Sequence, residues 1–203
     1  TQISGSVELE TNSAGSTLNV SALATFAGGI LNDSGGTLTY SGGPAPLPAL
    51  AAANNTTFEV GGGVALALPN LTSANGASFT VSGGSSLTLS GLTSYTEPNG
   101  FTSSTLEASG AGSVLSLPAL TSISETAGYT TTYVNALSGG DVELPQVTQI
   151  SGSVELETNS AGSTLNVSAL ATFTGGILND SGGTLTYSGG PAPPIKNIPP
   201  KAL

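Results

Sequence analysis

The sequence predicts an all-β fold, a parallel β-helix (β-solenoid) with coils of about 20–28 residues. Three observations predict it. Apolar residues alternate with polar ones over short runs, one apolar motif returns at a near-constant interval, and a long segment of the chain is present twice.

The alternation separates strand from helix. Phe79 and Val81, or Val154 and Leu156, stand at i and i+2 in runs bounded by Gly, Ser, Asn or Pro. That is the period of a strand with one face inward. No window carries an i, i+3, i+4, i+7 stripe, and Gly or Pro interrupts every longer stretch.

The recurring motif is two apolar residues separated by one, with a third apolar residue three further on. It reads Leu18-Val20-Leu23, Leu66-Leu68-Leu71, Leu87-Leu89-Leu92, Leu115-Leu117-Leu120, Val142-Leu144-Val147 and Leu165-Val167-Leu170, with partial copies at Leu38-Tyr40 and Leu185-Tyr187. Successive anchors lie 20 to 28 residues apart, so six coils fit in 147 residues. Within one coil, Val142/Leu144, Val147/Ile150 and Val154/Leu156 give three apolar pulses before Leu165 starts the next. Three short strands per turn is the cross-section of a parallel β-helix, where each coil buries its apolar edge only by stacking on its neighbours.

The long repeat sets the domain organisation. Residues 1–46 return at 148–193 with one change, Ala27 in the first copy being Thr174 in the second. We expect one solenoid over 1–193, made of a 147-residue unit (1–147) and the start of a second copy (148–193). At Pro194 the copy ends, and residues 194–203, PIKNIPPKAL, are expected to be a Pro-rich tail or linker. The chain opens at Thr1 without a signal-peptide pattern, which suggests a portion of something longer.

Composition narrows the function classes. Charged residues make up 7% of the chain, against about 25% in ordinary domains. Cys, His, Met and Trp are absent, and so is Arg, which removes most general bases, soft metal ligands and phosphate clamps. The two cations, Lys196 and Lys201, lie in the tail, so the body carries all 12 acidic groups and no positive side chain. Such a surface repels nucleic acid and anionic membranes. No apolar run is long enough to span a bilayer as a helix.

The runs LPNLTS (68–73), LPALTSIS (117–124) and LPQVTQISG (144–152) resemble the repeats of receptor-L-type β-helical surface proteins. The Ser/Thr/Gly-rich, Cys-free background is similar to that of large repetitive bacterial surface or adhesin-like proteins. The resemblance spans most of residues 1–190 and implies a right-handed β-solenoid exposed outside the cytoplasm. These families share the coil and no catalytic motif, so no site residue carries over.

Candidate chemistry follows from the few reactive groups. Glycan cleavage needs two carboxylates at a set separation, and Glu8/Glu10, Asp141/Glu143 and Glu155/Glu157 are i, i+2 pairs on one strand face. The first and third are repeat copies, and nothing nearby can stack a sugar or steady charge, so solvated outward carboxylates are expected. Gly28-Gly29-Ile30-Leu31-Asn32-Asp33 and its copy at 175–180 are similar to a calcium-binding nonapeptide. Leu at the fourth position and a single Asp favour an Asn-Asp-Ser-Gly-Gly turn instead. An ice-binding Thr ladder would need uniform outward positions beside the anchors. They read Thr17/Asn19, Thr37/Thr39, Ala65/Ala67, Ser86/Thr88, Val114/Ser116, Asp141/Glu143, Thr164/Asn166 and Thr184/Thr186, which is mixed. Phe26, Phe173, Phe58, Phe79 and Phe101 are expected in the core, and Tyr129 and Tyr133, which flank a Thr run, in core or edge packing, with an exposed contact as the alternative. Triplets such as Asn19-Val20-Ser21 and Asn70-Leu71-Thr72 are potential glycosylation acceptors.

The expectation is therefore a non-enzyme without catalytic, metal or cofactor residues: a spacer, stalk or filament-forming segment of an extracellular or cell-surface repeat protein. Its expected partner is itself, through end-to-end stacking or adjacent repeats, with no nucleic acid and no membrane insertion. The alternative is an adhesive module binding glycan or protein through a lateral face. Ice binding and polysaccharide degradation rank behind both.

Overall fold

The computed structural model describes residues 2–5, 7–11, 17–19, 25–27, 30–34, 37–39, 50–98, 102–126 and 128–187. They form parallel sheets stacked as a β-solenoid, about six turns of it from Thr57 to Tyr187 and the strands of two earlier coils before them, without a helix among the described residues. Sheet I is continuous from end to end. Its eight strands are Glu8–Thr11, Ile30–Ser34, Thr57–Gly61, Ser78–Ser82, Ser104–Ser109, Thr132–Leu137, Val154–Thr158 and Ile177–Asp180, each paired to the next. Sheet II stacks six strands: Ala65–Ala67, Ser86–Thr88, Val114–Ser116, Asp141–Glu143, Thr164–Val167 and Thr184–Tyr187. Sheet III stacks four, Ser94–Glu97, Ser122–Glu125, Gln149–Ser151 and Thr172–Thr174. Near the start of the chain, Gln2–Ser4 pairs with Thr25–Ala27 and Thr17–Asn19 with Thr37–Thr39, in the same order along each coil.

The anchor residues meet in register, as their spacing predicts. Leu18 pairs with Leu38, and Leu66, Leu87, Leu115, Val142, Leu165 and Leu185 form one continuous inward column. On sheet I the register stacks Leu9, Leu31, Phe58, Phe79, Leu106, Val134, Leu156 and Leu178, and the column is buried from Phe58 onward. Sheet III contributes Tyr95, Ile123, Ile150 and Phe173. Like sits on like because the strand period places the same coil position directly above itself. Phe58 and Phe79 are fully buried and stack with centroids 5.0 Å apart. A fully buried Leu, Val or Phe contributes about 1.5–3 kcal/mol by removal from water. Repeated along three columns, that term holds the coil together without a disulfide.

The corners are tied by small polar residues. Ser85, Ser113 and Ser163 are buried just before sheet II. Each hydroxyl accepts a backbone N–H from the turn of the preceding coil: Gly63 and Val64 for Ser85, Gly84 for Ser113, Gly139 for Ser163. At the next corner Thr121 and Thr148 donate to the carbonyls of Thr93 and Thr121. These bonds satisfy backbone groups that the turns remove from the sheet ladders.

Two expectations need correction. Tyr129 is 94% exposed, because it sits in the connection between the strands Ser122–Glu125 and Thr132–Leu137, outside the column of stacked side chains. In the second copy, Asn179 and Asp180 do not lie in a turn; they close the strand Ile177–Asp180. Pairing with Glu157 and Thr158 extends the ladder through them, and the turn begins at Ser181. Phe101, residues 194–203 and Gly28-Gly29 lie outside the described residues.

Candidate functional site

The predicted carboxylate pairs lie where the alternation puts them, on outward positions. Glu8 and Glu10 are exposed, while Asp141, Glu143, Glu155 and Glu157 are half-buried between neighbouring rungs. Glu143 accepts a hydrogen bond from the Ser116 hydroxyl at 3.0 Å, and Asp141 accepts one from Thr164. Asp180 accepts from the Thr158 hydroxyl at 2.7 Å. Glu157 is held above the usual carboxylate range by burial first, and then by the charges of Glu155 and Glu107. The three pairs stand on different rungs, Glu8/Glu10 and Glu155/Glu157 on sheet I and Asp141/Glu143 on sheet II.

Glu97, a carboxylate that lines a cavity, stands outside the pairs that the alternation picks out. Glu97 ends the first strand of sheet III and is paired in register with Glu125 on the next rung. Both are buried, at 3% and 6% exposure. Glu125 is satisfied from the loop that follows it and from the next coil: one oxygen accepts from Gly128 N at 2.7 Å and Thr130 Oγ1 at 3.3 Å, the other from Ser153 N at 3.1 Å. Glu97 is not matched in this way, and its Oε2 has no hydrogen-bond partner among the described residues. Burial raises its pKa; a hydrogen bond with Ser104 opposes the shift, and the Glu125 charge adds to it. The signal for this pair was present as SYTE and SISE, two strand ends 28 residues apart with an acid at the same coil position.

Glu97 lines a pocket of about 270 Å³ together with Asn55, Thr57, Gly76, Ser78, Thr102 and Ser103. The lining is polar because this corner lies beside the strand openings of sheets I and III, where outward Thr and Ser positions converge. Asn55 takes a left-handed backbone with φ of +52°, a region Asn tolerates better than most residues. Gly76 faces it, and a Cβ there would collide with Asn55 Oδ1. Beside them Asn54 Oδ1 accepts from Ser73 and from Asn75 N, and Asn75 Oδ1 accepts from Thr96 N, so the floor is held rigidly from coil to coil. Tyr95, fully buried beneath, donates to the Ala77 carbonyl at 2.7 Å, and burial pushes its hydroxyl pKa up.

Chemically the pocket offers one acceptor-rich carboxylate edge and several hydroxyls. It holds no second carboxylate aimed across the cavity, because Glu125 is turned toward its own loop. Among the described residues no three His, Cys, Asp or Glu side chains gather as a metal centre. In comparisons with protein families, curated proteins and solved structures, nothing matches the chain.

Proposed function

We propose that the chain is a structural spacer, a stalk or filament segment of an extracellular or cell-surface repeat protein, whose length is set by the number of 147-residue units. One observation carries the reading. The junction between the first unit and the start of the second continues the ladders of sheets I, II and III without a break, through Thr132–Leu137 on Val154–Thr158, Asp141–Glu143 on Thr164–Val167 and Ser122–Glu125 on Gln149–Ser151. A unit that joins its own copy in register is a unit that can be repeated. Stacked backbone hydrogen bonds supply stiffness, and a body free of Cys, His, Met and Lys supplies chemical durability.

The test is length. Chains carrying one, two and three units, measured by small-angle scattering, should lengthen by about 29 Å per unit, six rungs at about 4.8 Å each. A maximum dimension that grows as the square root of unit number would mean a flexible string and would sink the spacer reading.

A second reading, an adhesive module binding glycan through a lateral face, rests on the polar pocket that Glu97 lines with Asn55, Thr57, Ser78, Thr102 and Ser103. A glycan array probed with the chain and with Glu97→Gln decides it. Saturable binding lost in the variant supports adhesion; equal or absent signals remove it.

A further inference from the structure

The stretch 148–187 has two edges, and the chain itself displays a fitting neighbour for each. Its leading edge rests on the coil of residues 122–143, as described above. Its trailing edge, at Ile177–Asp180 and Thr184–Tyr187, pairs with no further strand among the described residues. The cover there is incomplete: Ile177 is 39% exposed, Leu185 and Tyr187 are only partly buried, and buried Asn179 leaves its Oδ1 without a partner among the described residues. The same sequence in the first copy shows what fits that edge. Ile30–Ser34 carries Thr57–Gly61, with Ile30 opposite Thr57, Leu31 opposite Phe58 and Asn32 opposite Glu59.

We propose that the two copies are interchangeable between molecules: the last two coils of one chain take the seat of the first two coils of another, on the strand Thr57–Gly61. The inference rests on the spacer reading and names how its chains would join. Ile177 would then stand opposite Thr57 of a second copy, Leu178 opposite Phe58 and Asn179 opposite Glu59. The strand register formed repeats the one displaced, since Ile177, Leu178 and Asn179 are identical in type to Ile30, Leu31 and Asn32. The displaced coils give up their mutual stacking and regain chain entropy, so the exchange is driven by concentration. Each chain accepts at one end and donates at the other, which is a head-to-tail contact that does not close and so builds an open filament. The filament would have the spacing of the natural junction, with six coils per chain.

The absence of cysteine makes the test clean. A full-length chain with Thr57→Cys and Ile177→Cys reports exchange. Within one molecule these positions lie five rungs apart on sheet I, about 24 Å, beyond the Cα separation of about 4.4–6.8 Å that a disulfide spans. A chain with Glu8→Cys and Ile177→Cys reports the other arrangement, in which intact molecules stack trailing edge on leading edge. Ile30→Cys with Thr57→Cys closes inside one molecule and calibrates the yield at that register. On mild oxidation of concentrated protein, the first variant should form a ladder of dimers, trimers and larger species that reductant collapses. Its cross-linked fraction should exceed that of the second by about tenfold, a preference of about 1.4 kcal/mol. A first variant that stays monomeric overturns the exchange. If the second variant forms the ladder instead, molecules stack intact, and the exchange fails while the spacer reading stands. Failure of the spacer reading shows separately, in the length series.

Discussion

Val7 and Val154 hold the same place in two copies of one sequence, yet Val7 is 38% exposed and Val154 1%. The contrast runs through both copies. Ile3 is partly buried and Ile150 wholly; Leu9 is partly buried and Leu156 is 1% exposed. Gly5 and Gly152 share a left-handed backbone, with φ of +90° and +84°. A Cβ on Gly5 would meet nothing within 4 Å, whereas on Gly152 it would run into the carbonyl of Glu125. The difference has one cause. The second copy rests on the coil of residues 122–143, and among the described residues no strand lies beneath the first. In a solenoid, burial belongs to the stack and not to the repeat.

Identical substitutions placed in the two copies test that cause directly, with urea unfolding as the readout. The largest split should come from Val154→Asp, which buries an unpaired carboxylate and should cost about 4 kcal/mol. Val7→Asp should stay within about 0.5 kcal/mol, as exposed changes do. Equal effects would mean that the first copy is covered in solution, and adding protein concentration as a variable would reveal a second molecule as the cover.

Leu156→Ala comes next, at about 3 kcal/mol for a cavity in a packed column. Leu9→Ala should cost about 1 kcal/mol and act mainly on fraying of the first coil, visible as faster amide exchange near residues 2–11. Below that stands the glycine pair. Gly5→Ala carries only the backbone strain of a left-handed residue, about 1–2 kcal/mol, and Gly152→Ala should cost about 1 kcal/mol more for displacing the carbonyl it meets.

The smallest effect concerns charge. Glu157 has its pKa raised in the folded state, by burial and by Glu155 and Glu107. A carboxyl that binds its proton more tightly folded than unfolded destabilises the fold above its folded pKa. That penalty fades as pH falls through the folded pKa and is gone below the unfolded one. Stability should therefore rise on mild acidification from neutral pH, and Glu157→Gln should flatten that rise. A profile unmoved by Glu157→Gln would show that the acid column on sheet I is screened by solvent.

The anchors show how much was legible. Leu66, Leu87, Leu115, Val142 and Leu165 were grouped by spacing alone and stand in one column, because period-2 alternation and a fixed motif leave a single register that keeps all of them inward. The candidate site was not legible in the same way. Glu97 and Glu125 break the rule that acids face outward, since at a strand end the chain turns and an alternating position falls into the corner. Ser85, Ser113 and Ser163 are hidden for the same reason: a serine in a Gly-rich turn is unremarkable until the coil beneath supplies N–H groups for it to accept. Tyr129 errs in the opposite direction, an aromatic side chain lifted away from the stack by a wide turn.

Local alternation and motif spacing, both properties of the chain alone, determined the strand type, the coil length and which residues share a column. Only the tertiary structure decided which of two identical segments is inside and which strand-end carboxylates fall into a corner. The physical reason is that side-chain direction is set within a strand by the pleat, whereas removal from water is set by whatever coil lies above and below.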